Sequence, residues 1–315
     1  MVWLNYQHLF YFWTVVRKGS VVEACRVLRL APSTVSAQIH MLESNLGKKL
    51  LIRSGRNLQP TEMGMLVLGY ADSIFALGNE LLQKIHENSP SGTRELRVGV
   101  AYALPKAVAR WLMEPALHLP EKVHVVCRES SCEKLLQQLS SGELDVVLAD
   151  APAAGLASQH VSSHLILESG VSFVANSKLA VVYKKDFPRS LHGAPFLLPM
   201  TGTSLRHELD SWFDSEKIQP DVVGEFENHG MLRAFTESEV GIVPVASCVA
   251  DQFLTGRGVK KVGETGGVRV RYYAISTRKS LEYPPVAAIC QRTGVVSAVG
   301  NNPRATLPAS QNSRH

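Results

Sequence analysis

Residues 30–47, LAPSTVSAQIHMLESNLG, combine two kinds of helix face. Val35, Ile39, Leu42 and Leu46 recur at helical spacing and read as a core-facing stripe. Ser33, Thr34, Ser36 and Gln38 fall largely off that stripe, with His40 beyond them. Short hydroxyls suit phosphate oxygens. A Gln amide can make two hydrogen bonds to adenine, a discrimination of about 1–3 kcal/mol. Hydroxyls that merely cap a helix would draw on the same residue types. A few residues on, Arg53 and Arg56 stand near the tip of a turn, SGRN, where guanidinium groups can hold a nucleic-acid backbone or enter a minor groove.

A second set of polar residues has the chemistry of a small-ligand site. Tyr102, Ser130, Ser131, Thr203, Ser204, Asn228 and His229 stand at predicted strand ends or helix starts. Backbone N–H groups at a helix start favour anions, and capping again requires the same types. Four carboxylates, Glu129, Asp150, Glu225 and Glu227, also sit at strand ends and could serve a hard cation, although no calcium-loop spacing surrounds them. Cys127 and Cys132 raise a redox reading, since a thiol at a helix start can have a lowered pKa. His160 and His164 are four apart, a metal-ligand spacing if helical, but QHVSSH reads as a loop leading into a strand. There is no GxSxG, no GxGxxG after a strand and no GxxxxGKS/T, so an enzyme is not expected.

The elements that must position these residues are legible. An apolar helix from Tyr6 to Val16 ends at Gly19. Ser20 and Glu23 have capping-box spacing for the next helix, SVVEACRVL. Pro32 suits the first turn of a third helix, closed by Gly47. Two helices joined by a tight turn, the second with an uncharged polar outer face, form the helix-turn-helix pattern. KLLIRSGRNLQPT then reads as a basic hairpin wing. Thr61 can cap a long helix with apolar residues at 63, 66, 67, 70, 74, 77, 81 and 85, whose natural partner is a second copy of itself. NSPSGTRE (88–95) is a linker.

From residue 96 strands and helices alternate: LRVGVA, LPKAVARWLMEPALHL, VHVVCRE, CEKLLQQLSSG, LDVVLAD. A second set follows, from APFLLP through SLRHELDSWFDSE, DVVGEFE and GMLRAFTES to VGIVPVAS. Two βαβαβ sets imply two Rossmann-like lobes with parallel strands, and a ligand cleft between them. VRVRYYAIS and a helix near Pro285–Arg292 return to the first lobe, and the tail 301–315 is expected to be disordered.

Charge follows the same division. Residues 1–60 hold eight Lys and Arg against two acids, net +6, while the other 255 hold 25 against 26, net −1. A polyanionic partner for the first segment fits this asymmetry. Five cysteines without CxxC argue against a disulfide framework and suit a reducing cytoplasm. The apolar start is broken by Asn5, Gln7 and His8 and has no basic n-region, so neither a leader nor a membrane span is expected.

The run NYQHLFYFWTVVRKGSVVEACRVLRLAPSTVSAQIHMLESNLGKKLLIRSGRNLQPTEMG resembles the N-terminus of LysR-type transcriptional regulators, VSAQIHMLESNLGKKLLIRSGR most of all. The resemblance covers about 6–300. It implies a winged helix-turn-helix over 1–60 (all-α with a short β wing), a dimerising linker helix and hinge over 61–93, and over 94–300 an α/β effector domain like a type 2 periplasmic binding protein. Lobe I would be 94–163 with 269–300, and lobe II 164–268. The implied partners are promoter DNA, further copies of the chain up to a homotetramer, and RNA polymerase for an activator. Ser33, Thr34, Ser36, Gln38, His40, Arg53 and Arg56 map onto its DNA-contacting surface. Ala31 and Ala37 depart from the family, which often has a hydroxyl residue and an Arg there. Within the family, NYQHLFYFWTVVRKGSV and GRNLQPTEMGMLVLGYAD look most like activators of bacterial sodium/proton antiporter genes, which implies Na⁺ as effector and no tightly bound cofactor. A small organic anion is the alternative effector, and redox sensing through Cys127 and Cys132 a third.

Overall fold

The structure, a computed structural model, describes residues 3–54, 57–87, 94–154, 161–254 and 258–292. Helix α1 (Tyr6–Lys18) starts where Asn5 Oδ1 accepts from the N–H groups of Gln7 and His8, and ends at Gly19 with φ +70°. Helix α2 (Val21–Leu28) is capped by Ser20 Oγ, which accepts from Glu23 N at 3.0 Å. Helix α3 (Pro32–Leu46) has Pro32 in its first turn and Gly47, φ +65°, at its end. Strands β1 (Leu51–Ser54) and β2 (Asn57–Pro60) pair antiparallel as the wing. The three helices close around Leu9, Phe12, Val15, Val35, Ile39 and Leu42, all buried. Leu46, expected in this core, is instead 37% exposed, because the helix carries it past the last packed turn.

Helix α4 (Glu62–Glu87) is capped by Thr61 Oγ1, which accepts from Gly64 N at 2.9 Å. The apolar positions expected to form one stripe divide between two faces. Met63, Val67 and Ile74 pack on the N-terminal core beside buried Leu68 and Ala71. Leu66, Tyr70, Leu77 and Leu81 face outward at spacings of four and seven, 55–68% exposed. The side chain of Ile85 lies outside the described residues. Trp13 Nε1 and Arg17 Nε both donate to Asp72 Oδ1, fixing α1 against α4.

The C-terminal half builds strand β3 (Arg94–Ala101), helix α5 (Lys106–Leu117), β4 (Val123–Ser130), α6 (Cys132–Ser140) and β5 (Val146–Ala149). Then come β6 (Val161–Asn176), α7 (Ser177–Lys184), β7 (Pro195–Pro199), α8 (Ser204–Glu216), β8 (Asp221–Phe226), α9 (His229–Ala234), β9 (Val243–Ala246), α10 (Ala250–Leu254), β10 (Val259–Thr277) and α11 (Pro284–Cys290). One six-stranded sheet has the order β4-β3-β5-β10-β6-β9, and β7 pairs with β8 in a second.

The parallel pairing implied by βαβ units holds for β3 with β4 and β5, and for β7 with β8. It fails for the long strands β6 and β10, which run antiparallel to each other and to β9 and β5 respectively. These two carry the chain between the lobes. β10 begins nine residues before the VRVRYYAIS run that signals it, and β6 already includes Val161–His164, expected as loop. Each crosses from one core to the other and changes its buried face on the way, so neither shows one clean alternation. Helix α4 leans on the first lobe: Asn79 Nδ2 donates to Ser141 O at 3.2 Å, and Ala76 approaches Gly142.

Candidate DNA-binding surface and effector cleft

On α3, Ser33, Thr34, Ser36 and His40 are exposed and Gln38 is half-buried, while Val35, Ile39 and Leu42 hold the helix to its core. Among the described residues the side chains of Ser33, Thr34, Ser36 and Gln38 make no hydrogen bond, so the hydroxyls do not serve as caps. At the N-cap position Ala31 supplies no side-chain bond either. Four unspent polar groups thus share the outside of a rigid helix.

Behind them sits a residue the sequence reading missed. Glu43 is 5% exposed and joins α3 to the wing. Its Oε1 accepts from Leu50 N at 2.8 Å and Leu51 N at 3.2 Å. Its Oε2 lies 2.8 Å from Lys49 Nζ and 3.2 Å from His40 Nδ1. Burial works to raise its pKa, but the bonds from Lys49, Leu50, Leu51 and His40 outweigh it and bring the carboxyl down to about 2. An acid inside an amphipathic repeat otherwise reads as surface charge, and only the incoming β1 backbone reveals its use. Arg53 lies in β1, but its side chain is outside the described residues, as is Arg56 altogether.

Between the lobes is a cavity of about 30 Å³, room for about two water-sized particles. Of the seven expected effector residues, Thr203, Ser204 and His229 line it. Tyr102, Ser130, Ser131 and Asn228 do not. Tyr102 instead uses its backbone: its C=O accepts from His229 N, and its N–H donates to Ser130 O. Asn228 Oδ1 caps α9 by accepting from Gly230 N at 2.7 Å. Ser130 is half-buried at the end of β4, and Ser131 is exposed before α6 with no capping bond.

The remainder of the wall includes Asp150, Glu227, Phe226 and Tyr272. Of the four strand-end carboxylates, Glu129 pairs with Lys106 and Glu225 with Arg206, leaving Asp150 and Glu227 to the cavity. Burial raises the Asp150 pKa, with its own N–H and the N–H and hydroxyl of Ser204 acting the other way. Asp150 follows β5 in one lobe and Ser204 begins α8 in the other, so this carboxylate faces the helix start expected to receive an anion. Burial, Lys106 and Arg233 lower His229 to about 4, so its ring is neutral at pH 7. No three His, Cys, Asp or Glu converge as a metal-holding group among the described residues.

The two thiols lack the lowered pKa that the redox reading expects. Burial and Glu129 raise Cys127, and burial and Asp150 push Cys132 up to about 11, against the lowering expected at a helix start. His164 Nε2 lies 3.4 Å from Ser276 Oγ across the β6–β10 ladder, and His160 is outside the described residues, so the spaced pair forms no described metal site. No helix among the described residues is long and apolar enough to cross a membrane.

The profile of the family described as bacterial regulatory helix-turn-helix protein, lysR family, matches residues 6–65, and that of the LysR substrate binding domain matches 89–293. The chain belongs to the LysR family of transcriptional regulators. It is therefore a DNA-binding regulator and not an enzyme. It is 35% identical over 287 residues to the transcriptional activator protein NhaR of Escherichia coli, covering 91% of this regulator and 94% of that protein. Among solved structures, ArgP from Mycobacterium tuberculosis matches with TM-score 0.62 and 18% identity, over 91% of this regulator and 97% of that chain. Full-length CbnR complexed with its target DNA matches with TM-score 0.54 and 17% identity, over 91% and 97%. These two show the shared fold, including the two-lobed C-terminal half.

Proposed function

We propose that this regulator is a cytoplasmic activator that binds promoter DNA as an oligomer and answers to a small cation, Na⁺, between its lobes. Residues 1–60 serve as the DNA-binding domain, 61–93 as the dimerising helix and hinge, and 94–300 as the effector domain, with lobe I 94–163 and 269–300 and lobe II 164–268. What carries the DNA half is the row of unspent polar side chains on α3, held by a buried core. Arg53 and Arg56 supply the backbone grip, RNA polymerase is the partner through which an activator works, and a tetramer is the expected assembly. The outward row of Leu66, Tyr70, Leu77 and Leu81 supports self-association.

Binding to a promoter fragment tests the DNA reading. Ser36→Ala and Arg53→Ala are each expected to weaken binding, by at least about fivefold. Arg53→Ala should also flatten the salt dependence by about one counterion. Wild-type affinity in both variants rules these contacts out.

The cation reading rests on the cavity: small, and offering two carboxylates and three hydroxyl-bearing residues, Thr203, Ser204 and Tyr272, within a largely apolar wall. Hard cations take oxygen ligands, and two carboxylates suit a weakly held monovalent ion. The alternative, an organic anion, gains from the start of α8, but it must enter against Asp150 and Glu227 and enlarge the cavity. Melting the full chain in NaCl against KCl at equal ionic strength separates the two. Na⁺ should raise the midpoint above K⁺, and Asp150→Asn should erase that difference. Equal midpoints in the two salts, or a difference that survives Asp150→Asn, overturns the cation reading.

A further inference from the structure

A larger recess lies away from the cleft, where β6 and β10 cross between the lobes. Along this ladder Glu264 pairs with Ser172, but the next pair is Arg269 with Gly170. Four residues of β10, Thr265–Val268, therefore oppose the single Val171 of β6, and the surplus bulges outward. Gly266 turns the bulge with φ +65°, and Thr265 Oγ1 ties it down by donating to Val171 O at 3.2 Å. Bulges re-aim side chains and bend a ladder. This one stands beside the turn at Ser247–Val249 and borders an open recess of about 320 Å³, a volume within the range of small-molecule sites.

The recess is walled by charge. Glu168, Glu264 and Arg269 line it with Ser169 and Ser247. The Arg269 guanidinium is set by the bulge itself, since Nη1 donates to Gly266 O at 3.2 Å and Val268 O at 3.1 Å. Glu168 Oε2 accepts from Arg271 Nε at 2.7 Å, while its Oε1 lies 4.0 Å from Arg269 Nε, beyond hydrogen-bond reach. Glu264 is held by Lys261, and Ser247 Oγ by Ser172 Oγ at 2.7 Å. Gly170 forms part of the wall without a side chain. A Cβ there would meet Ser247 Oγ at 3.5 Å, Arg269 Nη1 at 3.7 Å and Ser247 Cβ at 4.0 Å, ordinary contacts.

We propose that this recess is a second ligand site, taking a small zwitterion of amino-acid size whose carboxylate meets Arg269 and whose ammonium meets Glu168. A simple anion would face two carboxylates, and a simple cation would face the guanidinium. An apolar molecule would strip water from all three without replacing its bonds. A molecule with both charges satisfies both walls, and a guanidinium binds a carboxylate through two parallel bonds. Occupancy would brace the β10 bulge against the Ser247 turn, where the crossing strands join the lobes. The inference is independent of the cation reading of the cleft.

Calorimetric titration of the full chain with glycine, alanine, serine, glutamate and lysine tests it, with acetate and methylamine as single-charge controls. At least one amino acid should bind. Gly170→Val, which narrows the recess, and Arg269→Gln, a half-exposed side chain whose loss leaves the core intact, should each weaken that binding by at least about tenfold. Asp150→Asn, in the cleft, should leave it unchanged. The proposal is overturned if none of the five binds, if acetate or methylamine binds as well as the amino acid, if both recess variants bind as wild type, or if Asp150→Asn abolishes the binding.

Discussion

Glu43→Ala is expected to melt the N-terminal domain at lower temperature and to cost DNA affinity at least about tenfold, although Glu43 need touch no DNA. Removing the carboxylate leaves the N–H groups of Leu50 and Leu51 without their acceptor and releases Lys49 and His40. Leu50 N–H is fully buried, and an unsatisfied buried donor costs about 1–3 kcal/mol. With the partial loss at Leu51, the total is about 3 kcal/mol. The angle between α3 and the wing is set by these bonds, so recognition helix and wing would no longer meet DNA together. Glu43→Gln keeps one acceptor oxygen and should fall between the two. Thermal melting and promoter titration check both, and wild-type behaviour of Glu43→Ala sinks the assignment.

The same carboxyl predicts an acid limit. Its folded pKa, about 2, lies below the usual 4.5. A depressed acid stabilises the fold fully above its unfolded pKa and loses that stabilisation as pH falls through the folded value. Glu43 should therefore contribute fully above pH 4.5 and progressively less down to about 2, and Glu43→Gln should flatten the wild-type decline across that window.

Gly64→Ala is expected to destabilise the protein, the reverse of the usual effect in a helix. Alanine in place of glycine inside a helix normally stabilises by about 0.5–1 kcal/mol. Here an added Cβ would lie 2.1 Å from Leu50 O and 3.2 Å from Pro60 Cβ. The first is backbone and cannot swing away. Leu50 O also accepts from Thr61 N at 2.9 Å, and Thr61 Oγ1 donates to Lys49 O at 2.8 Å, so moving α4 breaks its own start. The expected loss is about 3 kcal/mol or more. Gly78→Ala in the same helix meets nothing within 4 Å and should stabilise by roughly 0.5–1 kcal/mol. Urea denaturation of the two variants should show opposite signs, and equal effects would refute the close-approach argument.

Glu43→Ala and Gly64→Ala both act on Leu50, whose N–H goes to α3 and whose C=O goes to the start of α4. This one peptide ties recognition helix, wing and linker helix together. Leu50 reads as an ordinary apolar residue, Glu43 as a surface acid and Gly64 as a weak spot in a helix. None of the three advertises its role, because each depends on a partner brought in from another element.

Much else could be read without coordinates, because local interactions decide it. Ser20 with Glu23, Gly47 and Thr61 mark helix ends through bonds to their own neighbours, and Pro32 does so through its fixed φ. The βαβ rhythm gave β3–β5 and β7–β9 to within a few residues, since each is a short apolar run between turn signals. The outward polar groups of α3 follow from helical periodicity alone. Tertiary structure decided what depends on two distant segments meeting. It divided the α4 stripe between the N-terminal core and an outward face. It ran β6 and β10 as long antiparallel strands with a bulge between lobes. It spent Glu129 and Glu225 on Lys106 and Arg206, and turned Asp150 and Glu227 into the cleft. A carboxylate at a strand end looks the same in sequence whether its neighbour is a cation or a cavity, and only the packing of the other lobe tells them apart.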